Sequence, residues 1–127
     1  MKKKKVLVDM SASLIHHGHV RLINKASNYG NVYIALTIDK EIKKFKSVNP
    51  ELKYKFRKEI LSSFKNVYKI IPSNWHIDQN FLNKHDIDIV VQGSDYKKRK
   101  FDNKTITIKR TKNISSTLMR KIAKSNL

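Results

Sequence analysis

The stretch VLVDMSASLIHHGHVRLINKASNYGNVYIALTID (Val6–Asp39) decides the fold. It opens on a short apolar run, VLVDM (Val6–Met10), with the composition of a strand. Val20, Leu22, Ile23 and Ala26 then recur with the spacing of one helical face, and Gly30 is a natural stop. NVYIALTID (Asn31–Asp39) is continuous and rich in β-branched residues, as a strand buried in a parallel sheet is. A strand, a helix and a second strand in that order make a unit whose crossover is right-handed.

The alternation continues downstream. EIKKFKSV (Glu41–Val48) reads as a basic connection. Pro50 opens PELKYKFRKEILSSFKN, where Leu52, Phe56, Ile60 and Phe64 recur every four residues and predict a helix. VYKII, running up to Pro72, is a third strand, IDQNFLNKHD a short helix and IDIVVQG (Ile87–Gly93) a fourth strand. TITIK (Thr105–Lys109) is a fifth strand, and SSTLMRKIAKS closes the chain as a helix that Ser115 caps. Strands alternating with helices predict an open, mostly parallel α/β sheet. Such sheets bind ligands outside the carboxyl ends of their strands. Three polar segments fall on that edge: the histidine cluster, GSDY (Gly93–Tyr96) and RTKNISST (Arg110–Thr117).

Bulk composition bounds the function. A chain of 127 residues supports one domain with a real core. It has no cysteine, which removes disulfides and thiolate chemistry. No apolar run has the length of a membrane span and no targeting segment is visible, so the cytoplasm is the expected compartment. The net charge of +18 invites a nucleic-acid partner. Lysine outnumbers arginine 23 to 5, however, alongside abundant Asn and Ile, which is the bias of AT-rich coding. Most of that charge reads as solvated surface, and the remainder suits a small anionic substrate.

The histidines admit several readings. His16 and His19 are three apart and could share a helical face, but no cysteine and few acids stand near to complete a metal site. A loop leaving a strand can instead present backbone N–H groups and a helix N-terminus to an anion, with glycine allowing close approach and imidazoles donating from either side. His16, Gly18 and His19 fit that cradle, and they equally fit a satisfied histidine at a strand-to-helix turn.

HHGH together with RTKNISST resembles the cytidylyltransferase family, small nucleotidyltransferases with a His-x-Gly-His motif after the first strand and an Arg-Thr-x-x-Ile-Ser-[Ser/Thr]-Thr motif before the last helix. The resemblance covers nearly the whole chain, since Lys44-x-Lys46, Arg57 in RKEIL, NVYKIIP, Trp75 and IDIVVQGSDY fall in the family's order. It implies a single Rossmann-like domain over residues 1–127, with about five strands and helices on both faces. The implied reaction moves CMP from CTP to a small phosphate- or phosphonate-bearing acceptor such as glycerol 3-phosphate, and releases pyrophosphate. Implied catalytic residues are His16, His19, Lys44, Lys46 and Arg110. Nucleotide contacts are implied for Ser11, Gly18, Gly93, Asp95, Arg110, Thr111, Ile114, Ser115, Ser116 and Thr117. Acceptor contacts are implied for Ser13, Lys44, Lys46, Arg57 and Trp75. Magnesium would accompany the triphosphate, with no metal held by the protein alone. A homodimer is the expected assembly, and nucleic acid is not an expected partner.

The chain departs from the family in places. Relatives read Gly-Thr-Phe-Asp where this chain has Met10-Ser11-Ala12-Ser13, so a hydroxyl stands in place of an acid at Ser13. Lys112-Asn113 replaces a usual Glu-Gly, and Ser94-Asp95 replaces two consecutive acids. The rim is thereby more positive. The alternative function is a catalytically weak or inactive homologue that binds nucleotide or RNA.

Overall fold

The computed structural model describes residues 3–96 and 99–127, so of the Lys2–Lys5 run only Lys2 lies outside it. The chain runs β1 (Lys5–Met10), α1 (His17–Ala26), β2 (Asn31–Thr37), α2 (Asp39–Lys46), α3 (Tyr54–Ser62), β3 (Val67–Ser73), α4 (Gln79–Lys84), β4 (Ile89–Gly93), a one-turn 3-10 segment (Ser94–Tyr96), β5 (Lys104–Ile108) and α5 (Ser116–Ser125). All five strands are parallel, in the order β3-β2-β1-β4-β5. The chain therefore winds outward from β1 to one edge, then crosses back to the other, as in a Rossmann-like sheet. No helix among the described residues is long and apolar enough to cross a membrane.

Strand alternation divides the core into two layers. Val6, Val8 and Met10 of β1 face Ile23 and Ala26 of α1 and Leu61 of α3. Leu7 faces the opposite way, toward Leu82 of α4, Ile77 and Phe101. The direction reverses at β1 and β4, so the crevice between their carboxyl ends is where a ligand site belongs. Pro72 sits in β3, an edge strand, where a missing N–H is tolerated.

Two expectations need correction. Glu41–Val48 is not an irregular connection: most of it lies in α2, where Ile42 is fully buried. Asp39 and Glu41 occupy its first turn and Lys43, Lys44 and Lys46 its last, as the helix dipole favours. A single buried apolar residue is too little periodicity to read from sequence. The helix expected from Pro50 begins only at Tyr54, and its four-spaced row is not the inner one. Phe56 and Ile60 are exposed, while Arg57 and Leu61 are buried. Arg57 draws the neighbouring row inward because its guanidinium finds acceptors at the carboxyl ends of β1 and β2 and at the start of α2. Its Nε donates to the Leu52 carbonyl at 2.9 Å, and Nη1 donates to the Ser11 and Thr37 carbonyls at 2.7 Å each. Nη2 donates to the Asp39 carboxylate at 2.6 Å, and that carboxylate also accepts the Tyr54 N–H.

Candidate active site

The loop after β1, the turn after β4 and the connection after β5 converge on one cavity of about 300 Å³ at the carboxyl edge. Ser11, His16, Gly18 and His19 line it from the first segment, Gly93 and Asp95 from the second. Arg110, Thr111, Ile114 and Ser115–Thr117 line it from the third. Lys46 and Trp75 close a further side. Segments up to a hundred residues apart in sequence thus meet where the strand order predicted.

The two motif histidines are built into the helix they precede. His16 is the N-cap of α1, and its Nδ1 accepts the Gly18 N–H at 3.1 Å. His19 Nδ1 in turn accepts the His16 N–H at 3.1 Å, completing a reciprocal capping box made of two imidazoles. A neutral imidazole with Nδ1 accepting carries its proton on Nε2. The rings lie 3.9 Å apart. Burial holds the His19 pKa down at about 3, helped by His16, Lys46 and Arg110. Burial also lowers His16, with smaller contributions from His17 and Arg110. Both histidines are therefore neutral donors at physiological pH. Gly18 is required by close approach: a Cβ there would stand 2.9 Å from His16 Cε1 and 3.3 Å from an Ile114 methyl. His17, the middle histidine, is exposed and absent from the cavity lining.

The cations divide into those the fold delivers and those it does not. Lys46 reaches the cavity from the last turn of α2, and burial followed by Arg120 lowers its pKa against the opposing pull of Glu51. Arg120 and Glu51 are ion-paired, with Nη2 2.7 Å from Oε1. Arg110 is half exposed, its N–H donates to Ser94 Oγ at 3.2 Å, and its guanidinium lies 3.8 Å from the Asp95 carboxylate. Lys44 does not join them: it is exposed, with its ammonium 5.3 Å from the Phe45 ring centre. Arg57 is the clearest correction, because its side chain is fully buried and bonded to the protein, leaving no face for an acceptor. Trp75 lines the cavity as expected, stacked on Phe45 at 5.5 Å, with Lys46 Nζ 5.8 Å from its ring centre.

The hydroxyls also divide. Ser115 Oγ caps α5 by accepting the Leu118 N–H at 2.9 Å. Ser116 Oγ donates to the Leu14 carbonyl and accepts the Leu14 N–H, stitching α5 to the loop after β1. Among the described residues, the N–H groups of Ser116 and Thr117 are left as open donors at the positive end of α5. Ser13 does not line the cavity: it is fully buried and its Oγ has no partner.

Several residues escaped the sequence reading. Asp9 lies at the carboxyl end of β1 and lines the cavity, with its two carboxylate oxygens held by Arg99 at 2.8 and 3.0 Å. Arg99 also donates to Gln92 Oε1, and Gln92 Nε2 donates to Thr107. An acid closing an otherwise apolar strand was the available signal for Asp9. Arg21, Lys25 and Lys109 line the cavity as well, and nothing marked them out among so many surface cations.

A Rossmann-like sheet with a histidine-capped helix at its switch point, facing a second helix N-terminus, is the arrangement of a nucleotidyltransferase. Residues 11–122 match the Cytidylyltransferase-like family, and the chain belongs to it. It is 35% identical over 124 residues to the glycerol-3-phosphate cytidylyltransferase of Bacillus spizizenii, covering 93% of this chain and 95% of that one. It is 30% identical over 120 residues to the Staphylococcus aureus protein of the same name, covering 90% of each. Among solved structures, a lipopolysaccharide core biosynthesis protein from Thermoplasma volcanium superposes with a TM-score of 0.72 at 17% identity, over 86% of this chain and 98% of that one, and so shares the fold.

Proposed function

We propose that this protein transfers CMP from CTP to a small phosphate-bearing acceptor in the cytoplasm, with glycerol 3-phosphate the first candidate. The observation that carries the reading is the pair of neutral histidines, their Nδ1 atoms engaged in capping α1, that line one cavity with Lys46, Arg110 and the α5 N-terminus. An acceptor phosphate oxygen, already anionic, attacks the α-phosphorus. The bond to the β-phosphate breaks, and pyrophosphate departs with its electron pair. No base is needed, so the protein's task is alignment and charge stabilisation. His16 and His19 donate to oxygens at the α-phosphate, and the open N–H groups of α5 take the departing phosphates. The nucleotide is taken as its magnesium complex. That ion's ligands would come mainly from the triphosphate oxygens and water.

The acceptor end narrows the choice of substrate. Trp75, the aromatic side chain lining the cavity beside the motif histidines, already carries the Lys46 ammonium 5.8 Å from its ring centre. This favours an acceptor with an uncharged polyol tail over a choline-like one. The test is a pyrophosphate-release screen of CTP and ATP against glycerol 3-phosphate, phosphocholine and 2-aminoethylphosphonate. Turnover with CTP and glycerol 3-phosphate, lost in His19→Ala, is expected. No turnover with any pair, alongside tight RNA binding, would make the protein a non-catalytic binder.

A further inference from the structure

One nearly buried charge that lines the cavity is not used by the transfer chemistry. Asp9 is the penultimate residue of β1, and its side chain is only 9% exposed. Strand alternation puts it on the Leu7 face of the sheet, the α4 side, whereas α1 packs on the other face. Trp75 leads into Ile77, which packs on that same α4 side. Asp9 and Trp75 therefore wall a different end of the cavity from the one α1 covers. A carboxylate so buried needs a partner. Arg99 supplies it, one guanidinium nitrogen to each oxygen, at 2.8 and 3.0 Å. Arg99 also donates to Gln92 Oε1, and Gln92 donates to Thr107, so the pair is fixed across β1, β4 and β5. Each carboxylate oxygen keeps a further lone pair after its bond to Arg99. Compensation of the charge weakens any pull on a cation, and a wall of lone pairs repels an anion. A hydroxyl is the donor that such a group accepts.

We propose that Asp9 is a specificity-determining residue for the acceptor: its carboxylate, held and neutralised by Arg99, accepts a hydrogen bond from a hydroxyl on the tail of a polyol phosphate. The orientation, phosphate toward the histidines and tail toward Asp9, rests on the nucleotidyl-transfer reading. Arg99 keeps Asp9 paired when no hydroxyl is present. An acceptor without hydroxyls therefore loses one hydrogen bond and leaves no orphaned charge. The discrimination is on the order of tenfold, far below the roughly ten-thousandfold of a site whose polar group is left unpaired.

The experiment titrates glycerol 3-phosphate and propyl phosphate calorimetrically into the full chain, alone and saturated with a non-hydrolysable CTP analogue. Propyl phosphate keeps the anion and the carbon chain and lacks the tail hydroxyls. The unaltered chain is expected to bind glycerol 3-phosphate on the order of tenfold more tightly, and Asp9→Ala to bind the two alike. The Asp9→Ala, Arg99→Ala double variant leaves neither charge unpaired and is expected to show the same loss, which settles the point if the single variant does not fold. Equal affinities in the unaltered chain, no binding of either phosphate, or a preference that survives in the variants overturns the assignment. An equal fall for both phosphates, with the preference kept, overturns it too, because that is general damage to the cavity. Pyrophosphate release from CTP with glycerol 3-phosphate is measured separately. Release with a preference that ignores Asp9 removes the tail assignment and keeps the transfer. A preference that depends on Asp9 without any release keeps the tail assignment and removes the transfer.

Discussion

His16 has two duties that substitution can separate. Its Nδ1 caps α1, and its ring lines the cavity with Nε2 left to carry the proton. Aspartate is a good N-cap and has no N–H to donate. His16→Asp is therefore expected to keep the helix, with a melting temperature near wild type, while turnover falls on the order of a hundredfold or more. A comparable loss of both would mean that capping is the residue's whole contribution. The pH dependence follows from the same geometry. His19 titrates near 6.5 when unfolded and at about 3 when folded. Below pH 6.5 the unfolded chain takes up a proton that the folded one refuses, so this stability is full above 6.5 and drains away as the pH falls toward 3. A loss of about 1 kcal/mol by pH 5, allowing for solvent screening, should show in denaturant titrations. The His19 ring should not protonate near pH 6.5, so an acidic limb of the rate in that range is expected only from the second ionisation of the acceptor phosphate. An NMR titration in which the His19 ring protonates near pH 6.5 would contradict the assigned tautomer.

At the level of elements, Arg57 does what several apolar residues would do elsewhere. It ties α3 to the end of β2, the start of α2 and the loop after β1. Arg57→Met would leave three carbonyls and the Asp39 carboxylate short of a donor, and is expected to cost about 3 kcal/mol of stability by chemical denaturation. Its effect on acceptor KM should be small in the molecules that remain folded. This residue also shows where sequence legibility ends. The strands were legible because each is a short β-branched run, and the site's location followed from their alternation. His16, His19 and the RTKNISST segment were legible because their types and spacing are chemically demanding. Arg57 reads as a substrate contact or as a structural hub with equal ease, since only the fold says which carbonyls lie beside it. Lys44 and Lys46 differ by a rotation of about 200° around α2, and that rotation depends on how Ile42 packs. Asp9 and Arg99 meet across ninety residues, a distance no local pattern spans.

Across the whole molecule, the charge is uneven in its consequences. The net +18 belongs to the whole chain, yet the cavity lining gathers Arg21, Lys25, Lys46, Lys109 and Arg110 against two acids, Asp9 and Asp95. A converging positive field speeds the encounter with a triphosphate and weakens steeply with salt. Raising ionic strength from about 20 to about 200 mM is expected to lower kcat/KM for the nucleotide by roughly tenfold, with kcat little changed. A salt-insensitive kcat/KM would show that the charge is surface composition without a role in capture.

The two open borders of the sheet have a different consequence. β3 carries Pro72, with no N–H to lend to a newcomer, beside the exposed Tyr68 and Lys69. β5 begins with the exposed Lys104. A stranger's strand laid against either border would meet a missing donor or an exposed ammonium. Concentrated solutions of this chain should accordingly resist fibril growth by lateral strand addition, and copies that do cluster should meet through their helical faces.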